Sequence, residues 1–155
     1  MELDPINNPP IPEDFHLKLR TRFLKKFHES VGEQGKNSIS LYKGIEEVPK
    51  NYDDINQVVE QESTFWYFFG VKETHCYAII HHDTGKVALF VPELSEGYKL
   101  WMFVKSRTEF KEGYKMDEVL FTHQLRPYIE QTNPSCIYLY SGEDTDSKIR
   151  PDEPE

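Results

Sequence analysis

The chain has 155 residues, of which 37% are hydrophobic and 29% charged, a composition typical of one globular domain of ordinary size. The mean hydropathy of -0.67, with no apolar run near the roughly 20 residues that span a bilayer, excludes a membrane protein. Because 27 Asp and Glu outnumber 18 Lys and Arg, the net charge of -9 repels phosphate backbones, and nucleic acid is not an expected partner.

Both ends of the chain have a polar composition. The first 12 residues hold four of the ten prolines, and residues 142–155 are acidic with few apolar side chains. We therefore expect an extended arm over 1–12, a folded domain over 13–141 and an acidic tail over 142–155. The beginning, MELDPINNPPIPED, is acidic and proline-rich, unlike a signal peptide, which indicates a cytoplasmic location.

The N-terminal half of the expected domain begins with an apolar pattern at four-residue spacing. This pattern predicts an amphipathic helix that ends near Gly32, and SISLY (38–42) then reads as a strand. In the run FWYFFG (65–70), alternation along an extended segment would place rings on both faces. This predicts a strand or loop buried between layers, rather than a ligand platform, with Gly70 permitting a turn. The apolar positions of the helix are Phe15, Leu19, Phe23, Phe27 and Val31.

The C-terminal half alternates strands and helices after a hairpin. Two β-rich runs, CYAII and VALFV, flank the turn HHDTGK and predict the hairpin. Pro127 is compatible with a helix only in its first turn. The order of elements predicts an α/β domain with a mixed β-sheet flanked by helices. The predicted ranges are strands at 76–80, 87–91, 118–122 and 136–140, one or two short helices within 95–114, and a helix at 122–131.

Two cysteines and a histidine-rich segment contain the residue types that bind metals. Cys76 and Cys136 lie in apolar, strand-like runs, so we expect both to be buried free thiols. In THCYAIIHHD, His75 would stand at the opposite strand end from His81, too far away to share a metal. We favour surface and turn polar residues, although His81, His82 and Asp83 could converge at the turn. TGK lacks a glycine-rich phosphate loop, and no catalytic motif occurs.

A collinear set of short motifs carries a family resemblance. It runs through the Gln61-Glu62-Ser63 segment, the aromatic run, Glu73, the D-T-G-K turn and the L-F-V-P segment at 89–92. In this order the motifs resemble the N-terminal domain of prolidases, the Xaa-Pro dipeptidases of the creatinase and aminopeptidase P family. The resemblance implies a mixed sheet with helices of the ribonuclease H-like type.

The resemblance also implies where the chemistry of the family takes place. In prolidases a separate C-terminal domain of the pita-bread fold binds two metal ions, usually manganese, through two Asp, one His and two Glu. None of these ligands has a matching position here, so we expect no catalytic residue, metal ligand or cofactor in this chain. Residues 142–155 then read as a linker toward that absent domain. The implied role is dimerisation of the full-length enzyme and restriction of its active-site entrance to dipeptides.

One residue carries a role from the family. Prolidases have a tryptophan in a W-M-G segment that reaches toward the partner subunit's active site, and Trp101 matches it, although Phe103 replaces the glycine. The alternative is a packing anchor on an amphipathic helix. Two other functions stay open: a stand-alone protein-binding module for basic partners such as histones, and a small metal-binding protein centred on His81, His82 and Asp83.

Overall fold

The computed structural model describes residues 11–47, 60–100 and 104–142, together with residues 148 and 150. In these residues five strands and five α-helices form an α/β fold, which confirms the predicted class. The strands are β1 Ser38–Lys43, β2 Tyr77–His81, β3 Val87–Val91, β4 Glu118–Phe121 and β5 Cys136–Leu139. The helices are α1 Phe15–Val31, α2 Ser63–Phe69, α3 Glu96–Lys99, α4 Arg107–Gly113 and α5 Leu125–Thr132, with 3-10 turns at Gly32–Gly35 and Thr122–Gln124.

The strands form one mixed sheet in the order β4-β3-β2-β1-β5. The antiparallel pairs β1·β2 and β2·β3 form a meander, and the predicted hairpin at β2 and β3 is confirmed. The parallel pairs β3·β4 and β1·β5 are the outermost pairs, so β4 and β5 are the two edge strands. Parallel neighbours need crossover connections, and the path between β3 and β4 contains the two predicted short helices, α3 and α4.

The two faces of the sheet carry separate apolar clusters. On one face, side chains from α1, α2 and α4 pack against β2, β3 and β4, around the fully buried Phe65, Phe69 and Leu89. On the other face α5 is the one helix of the described residues that covers the sheet, and it packs Tyr128 and Ile129 near the fully buried Ile79 and Phe90. Because helices cover both faces, the middle strands β2 and β3 are nearly continuous apolar runs.

Helix α1 spans the predicted range and ends where expected, at Gly32. The φ of 58° at Gly32 lies in the left-handed region that favours glycine. Sequence periodicity missed its most buried side chain, Arg20, which is 2% exposed. Arg20 donates hydrogen bonds to the carbonyls of Phe68, in the last turn of α2, and of Lys115, just after α4. No helix in the described part of the chain is long and apolar enough to cross a bilayer.

The aromatic run at 65–69 is helical, so the prediction of an extended segment was wrong. Glu62 caps the N-terminus of α2 by accepting hydrogen bonds from the backbone N–H groups of Thr64 and Phe65. Gly70, with a φ of 67°, ends the helix in the left-handed conformation. Phe65 and Phe69 are fully buried one turn apart, whereas Tyr67, placed with them by alternation, is 43% exposed. The run is therefore an amphipathic helix, and the predicted packing in the core is confirmed for the face that carries Phe65 and Phe69.

Candidate functional site

Gln61, the first residue of the shared motif, ties three segments together. Its Oε1 accepts hydrogen bonds from the backbone N–H groups of Ile45, at 2.6 Å, and Glu62, at 2.9 Å. Its Nε2 donates to the carbonyl of Glu73 at 3.0 Å. One amide side chain thus joins the end of β1, the start of α2 and the segment that precedes β2. Together, the hydrogen bonds of Gln61 and the cap formed by Glu62 position α2, which gives the Gln61-Glu62-Ser63 motif a structural role.

A half-buried ion pair fixes the segment that leads into α4. Lys105 Nζ donates to the Glu73 carboxylate and to the Tyr114 hydroxyl, and Tyr114 donates to Glu73 at 2.8 Å. Burial acts to raise the pKa of Glu73, but the hydrogen bonds from Lys105 and Tyr114 outweigh it, so the net shift is downward. The same contacts raise the pKa of Lys105 against the effect of burial. Both groups therefore stay charged near neutral pH, which keeps the ion pair intact.

Trp101, which carries the family role, lies outside the described residues, as does Phe103. The described chain resumes at Val104, directly before the anchored Lys105. Lys105 also stands 4.9 Å from the Tyr114 ring centroid, a cation–π contact. The described residues on the C-terminal side of Trp101 are therefore fixed by an ion pair and an aromatic ring.

His82 is buried, so its predicted place among surface and turn residues was wrong. Its Nδ1 is 2.7 Å from Ser38 Oγ and its Nε2 is 2.8 Å from Ser40 Oγ, and its ring packs on Phe27 with centroids 3.8 Å apart. The Ser38 hydroxyl donates its hydrogen bond to the carbonyl of Gly35. Ser38 must then accept from Nδ1–H, which leaves Nε2 to accept from Ser40. Burial lowers the pKa of His82 to about 4, which keeps the ring neutral at neutral pH.

The other candidate metal ligands serve separate contacts. His75 Nε2 accepts from the backbone N–H of Glu47, and His81 Nε2 is hydrogen-bonded to the Tyr128 hydroxyl on α5. Asp83, exposed in the turn as predicted, accepts from the backbone N–H of Asn37 at 2.8 Å. Within 11–47, 60–100 and 104–142, no three His, Cys, Asp or Glu side chains are grouped to hold a metal. The structure therefore does not bring His81, His82 and Asp83 together as one set.

The two cysteines differ in exposure. Both are free thiols, and Cys76 is buried as predicted. Burial raises its pKa to about 12, which makes it unreactive. Cys136 is exposed on β5, so the prediction of its burial was wrong. The sequence pattern was that of a strand, but β5 lies at the edge of the sheet, where a strand pattern does not ensure burial.

Two grooves flank β5, one on each face of the sheet. A groove of about 910 Å³ separates α5 from β1 and β5, and its apolar wall includes Leu41, Ile137 and Leu139. A second groove of about 610 Å³ lies between the two helices α1 and α2 and the end of β5, where Tyr138 and Tyr140 contribute. Ser40 lines the second groove and is hydrogen-bonded to His82, but both side chains are buried, at 4% and 1% exposed. Both grooves present apolar side chains to solvent, including Ile137, Leu139 and Tyr140.

Comparison with known proteins identifies relatives by sequence. The family model described as "Aminopeptidase P, N-terminal domain" matches residues 16–140. The Xaa-Pro dipeptidase of Mus musculus is 36% identical over 129 residues, which cover 83% of this chain but 26% of the mouse protein. The Homo sapiens Xaa-Pro dipeptidase is 34% identical with the same coverage. The chain thus spans about a quarter of the length of the curated relatives that it matches.

Solved structures with the same fold are also longer than this chain, which covers about 30% of each of them. A variant of Escherichia coli aminopeptidase P has a TM-score of 0.71 at 19% identity and covers 87% of this chain and 30% of that chain. Pseudomonas aeruginosa aminopeptidase PepP has a TM-score of 0.70 at 18% identity, with 88% and 30% covered. A zinc-substituted E. coli aminopeptidase P in complex with product has a TM-score of 0.70 at 17% identity, with 89% and 31% covered.

Proposed function

We propose that this chain, which belongs to the aminopeptidase P N-terminal domain family, is the non-catalytic N-terminal domain of a longer Xaa-Pro dipeptidase. The observation that carries the proposal is the family match over 16–140 together with relatives of which the chain covers only 26%. In this proposal residues 13–141 are the domain, 1–12 an arm, and 142–155 a linker. Hydrolysis belongs to the part of the polypeptide that follows in the relatives.

The proposed parent enzyme is a metallopeptidase of the cytoplasm. One structural relative is named as zinc-substituted, so that protein binds metal, and the family resemblance favours two manganese ions. Bound metal supplies Lewis-acid chemistry and an activated water. The metal ligands would lie in the following domain, since the described residues here offer no group of three ligands. We therefore expect purified 155-residue chain with added manganese to leave Gly-Pro intact. Measurable release of proline would contradict the non-catalytic role.

Continuation of the coding sequence tests the parent enzyme directly. Downstream of the codon for Glu155, we expect an open reading frame that encodes two Asp, one His and two Glu in the order of the family's metal ligands. A stop codon at that point would contradict the proposal.

The same full-length protein should be a homodimer by light scattering. Dimerisation of the isolated domain is not required, because the family resemblance places dimer contacts in both domains.

The proposal assigns entrance restriction to Trp101. The ion pair with Glu73 supports this, because it anchors Lys105, four residues after Trp101 in the sequence. In the full-length enzyme, we expect Trp101→Ala to raise the rate on Xaa-Pro-Xaa tripeptides relative to Xaa-Pro dipeptides. Tyr98→Ala removes a nearby exposed aromatic residue, 47% exposed, and should leave the ratio unchanged. An unchanged ratio in Trp101→Ala would favour a packing role for this residue.

A stand-alone binding module is the second candidate function. The net charge of -9 favours a basic partner, and histones are the test ligand. Retention of histones by the immobilised chain that is lost only at high salt, together with a stop codon after Glu155, would favour this function over the first. Absence of retention at low salt would remove it.

A further inference from the structure

Strand β5 is an edge strand without the features that protect edges. Within the described residues it pairs only with β1, so the backbone N–H and C=O groups of its outer side have no strand partner. The opposite edge strand, β4, carries the exposed charge of Glu118 and follows directly after α4. No charged residue occurs from Cys136 to Gly142. Natural proteins rarely leave such an edge uncovered, because it pairs with other chains.

Apolar side chains extend this edge onto both faces of the sheet. Ile137 and Leu139 are register partners of the buried Ile39 and Leu41, yet each is 40% exposed. They border the groove of about 910 Å³ beside α5. On the other face, Tyr140 is 45% exposed and borders the groove of about 610 Å³. We call the outer edge of β5 with these two grooves the β5 surface.

We propose that the β5 surface is the docking site for the polypeptide that follows this domain in its longer relatives. This inference rests on the proposed function. The relatives devote about three quarters of their length to sequence outside the match, and the matching family is named for an N-terminal domain. The described chain leaves the sheet at Tyr140, so any following segment starts at this surface. A covalent connection makes docking there intramolecular, with a high effective concentration.

A second copy of the chain fits the surface less well. Each copy carries a net charge of -9, so two copies repel one another, which opposes association at a shared edge. The polypeptide that follows is held near this surface by the covalent connection, so its docking does not depend on the concentration of a second molecule.

Cys136 provides a reporter for coverage of the β5 surface. It is exposed on β5, whereas Cys76 is buried and serves as an internal control. The test measures iodoacetamide labelling of both thiols, by peptide mass spectrometry, in the 155-residue chain and in the full-length protein. We expect Cys136 to label at least about tenfold more slowly in the full-length protein, as covered groups react only after local opening. Cys76 should be protected in both.

Two matched variants make the assignment specific. In the full-length protein, Leu139→Lys should restore Cys136 labelling toward the rate of the 155-residue chain. Leu17→Lys, at a leucine of α1 that is 47% exposed, should not. In the 155-residue chain neither variant should change the melting temperature appreciably, since both side chains are already partly exposed.

Each outcome separates this inference from the proposed function. Equal labelling of Cys136 in the two proteins would overturn the docking site while leaving the parent enzyme intact. Labelling that slows in the 155-residue chain as its concentration rises would assign the surface to a second copy and overturn the proposal. A stop codon after Glu155 would overturn the proposed function and, with it, the assigned occupant.

Discussion

Two buried polar side chains, Arg20 and His82, join separate elements of this domain. Arg20 connects α1 to the ends of α2 and α4, and His82 connects the hairpin turn to β1 through Ser38 and Ser40. Both are nearly inaccessible, at 2% and 1% exposed. Removing one partner of a buried hydrogen bond leaves the other partner unsatisfied, which costs about 1–3 kcal/mol. Their replacement therefore has predictable consequences.

His82 makes the stability of the domain depend on pH. Burial lowers its pKa from 6.5 to about 4. Between these values the unfolded chain binds a proton that the folded chain does not, so the free energy of unfolding falls as the pH falls, by at most about 3.4 kcal/mol. Above pH 6.5 the contribution is fully present.

Urea unfolding at about pH 7.5 and about pH 4.5 measures this effect. The difference between the two unfolding free energies should shrink by about 2 kcal/mol in His82→Gln, which lacks the titrating ring. His123→Gln, at a side chain 61% exposed, is the matched control and should retain the full difference. A His82→Gln variant with the same pH difference as the unmodified chain would show that His82 is not the titrating group.

Arg20 is predicted to be a strong stability determinant. Arg20→Met keeps an unbranched stem in the same space but leaves the carbonyls of Phe68 and Lys115 without their donor. We expect a loss of about 2 kcal/mol or more in the free energy of unfolding, given about 1–3 kcal/mol for each unsatisfied buried group. Arg22→Met, on the exposed side of α1, should change it by less than about 0.5 kcal/mol. Equal effects of the two substitutions would contradict this role.

Among the elements, α2 depends most on its ends. Its seven residues are too few for a helix that is stable on its own, and its side chains are mostly aromatic, which have only moderate helix propensity. The capping carboxylate of Glu62 and the left-handed Gly70 define where it begins and ends. Burial of Phe65 and Phe69 then fixes the face that it presents to the sheet.

Removal of the α2 cap should be measurable. Glu62→Ala deletes the acceptor for two backbone N–H groups and should reduce the free energy of unfolding by about 1–2 kcal/mol. Glu62→Gln retains one oxygen acceptor and should fall between. Glu60→Ala, at an exposed position just before the motif, should have almost no effect in the same urea titration. The cap would be unimportant if the substitutions at 60 and 62 had equal effects.

At the scale of the whole molecule, assembly of the sheet depends on contacts between distant parts of the chain. Strand β5 lies beside β1, with Ile137 opposite Ile39 and nearly a hundred residues between them. Ser135 also donates its hydroxyl proton to the carbonyl of Lys36. Such non-local pairings form late because loop closure is entropically unfavourable. Strand β1 therefore receives its second neighbour only when β5, the last described strand in the sequence, pairs with it.

A shortened chain tests this dependence. A chain ending at residue 134 lacks β5 and exposes β1 as a new edge, with the 2% exposed Ile39 and the 7% exposed Leu41 losing their neighbours. We expect it to lose a cooperative urea transition or to unfold at a much lower urea midpoint. A chain ending at residue 142 keeps β5 and should unfold like the 155-residue chain. Equal midpoints for the two shortened chains would show that β5 is dispensable.

The sequence by itself determined the elements whose signals are local. Helix α1, the β2–β3 hairpin and the α/β class follow from periodicity and turn chemistry within short windows, and the collinear motifs indicated the family that the comparisons then established. The helix at FWYFFG also has local signals, the capping carboxylate of Glu62 and the left-handed Gly70, but the alternation of the rings predicted an extended segment instead. Only the tertiary structure decided that His82 is buried and that Cys136 is exposed. These two outcomes depend on serines contributed by β1 and on the position of β5 at an edge, which exist only after the sheet forms, so no local pattern could encode them.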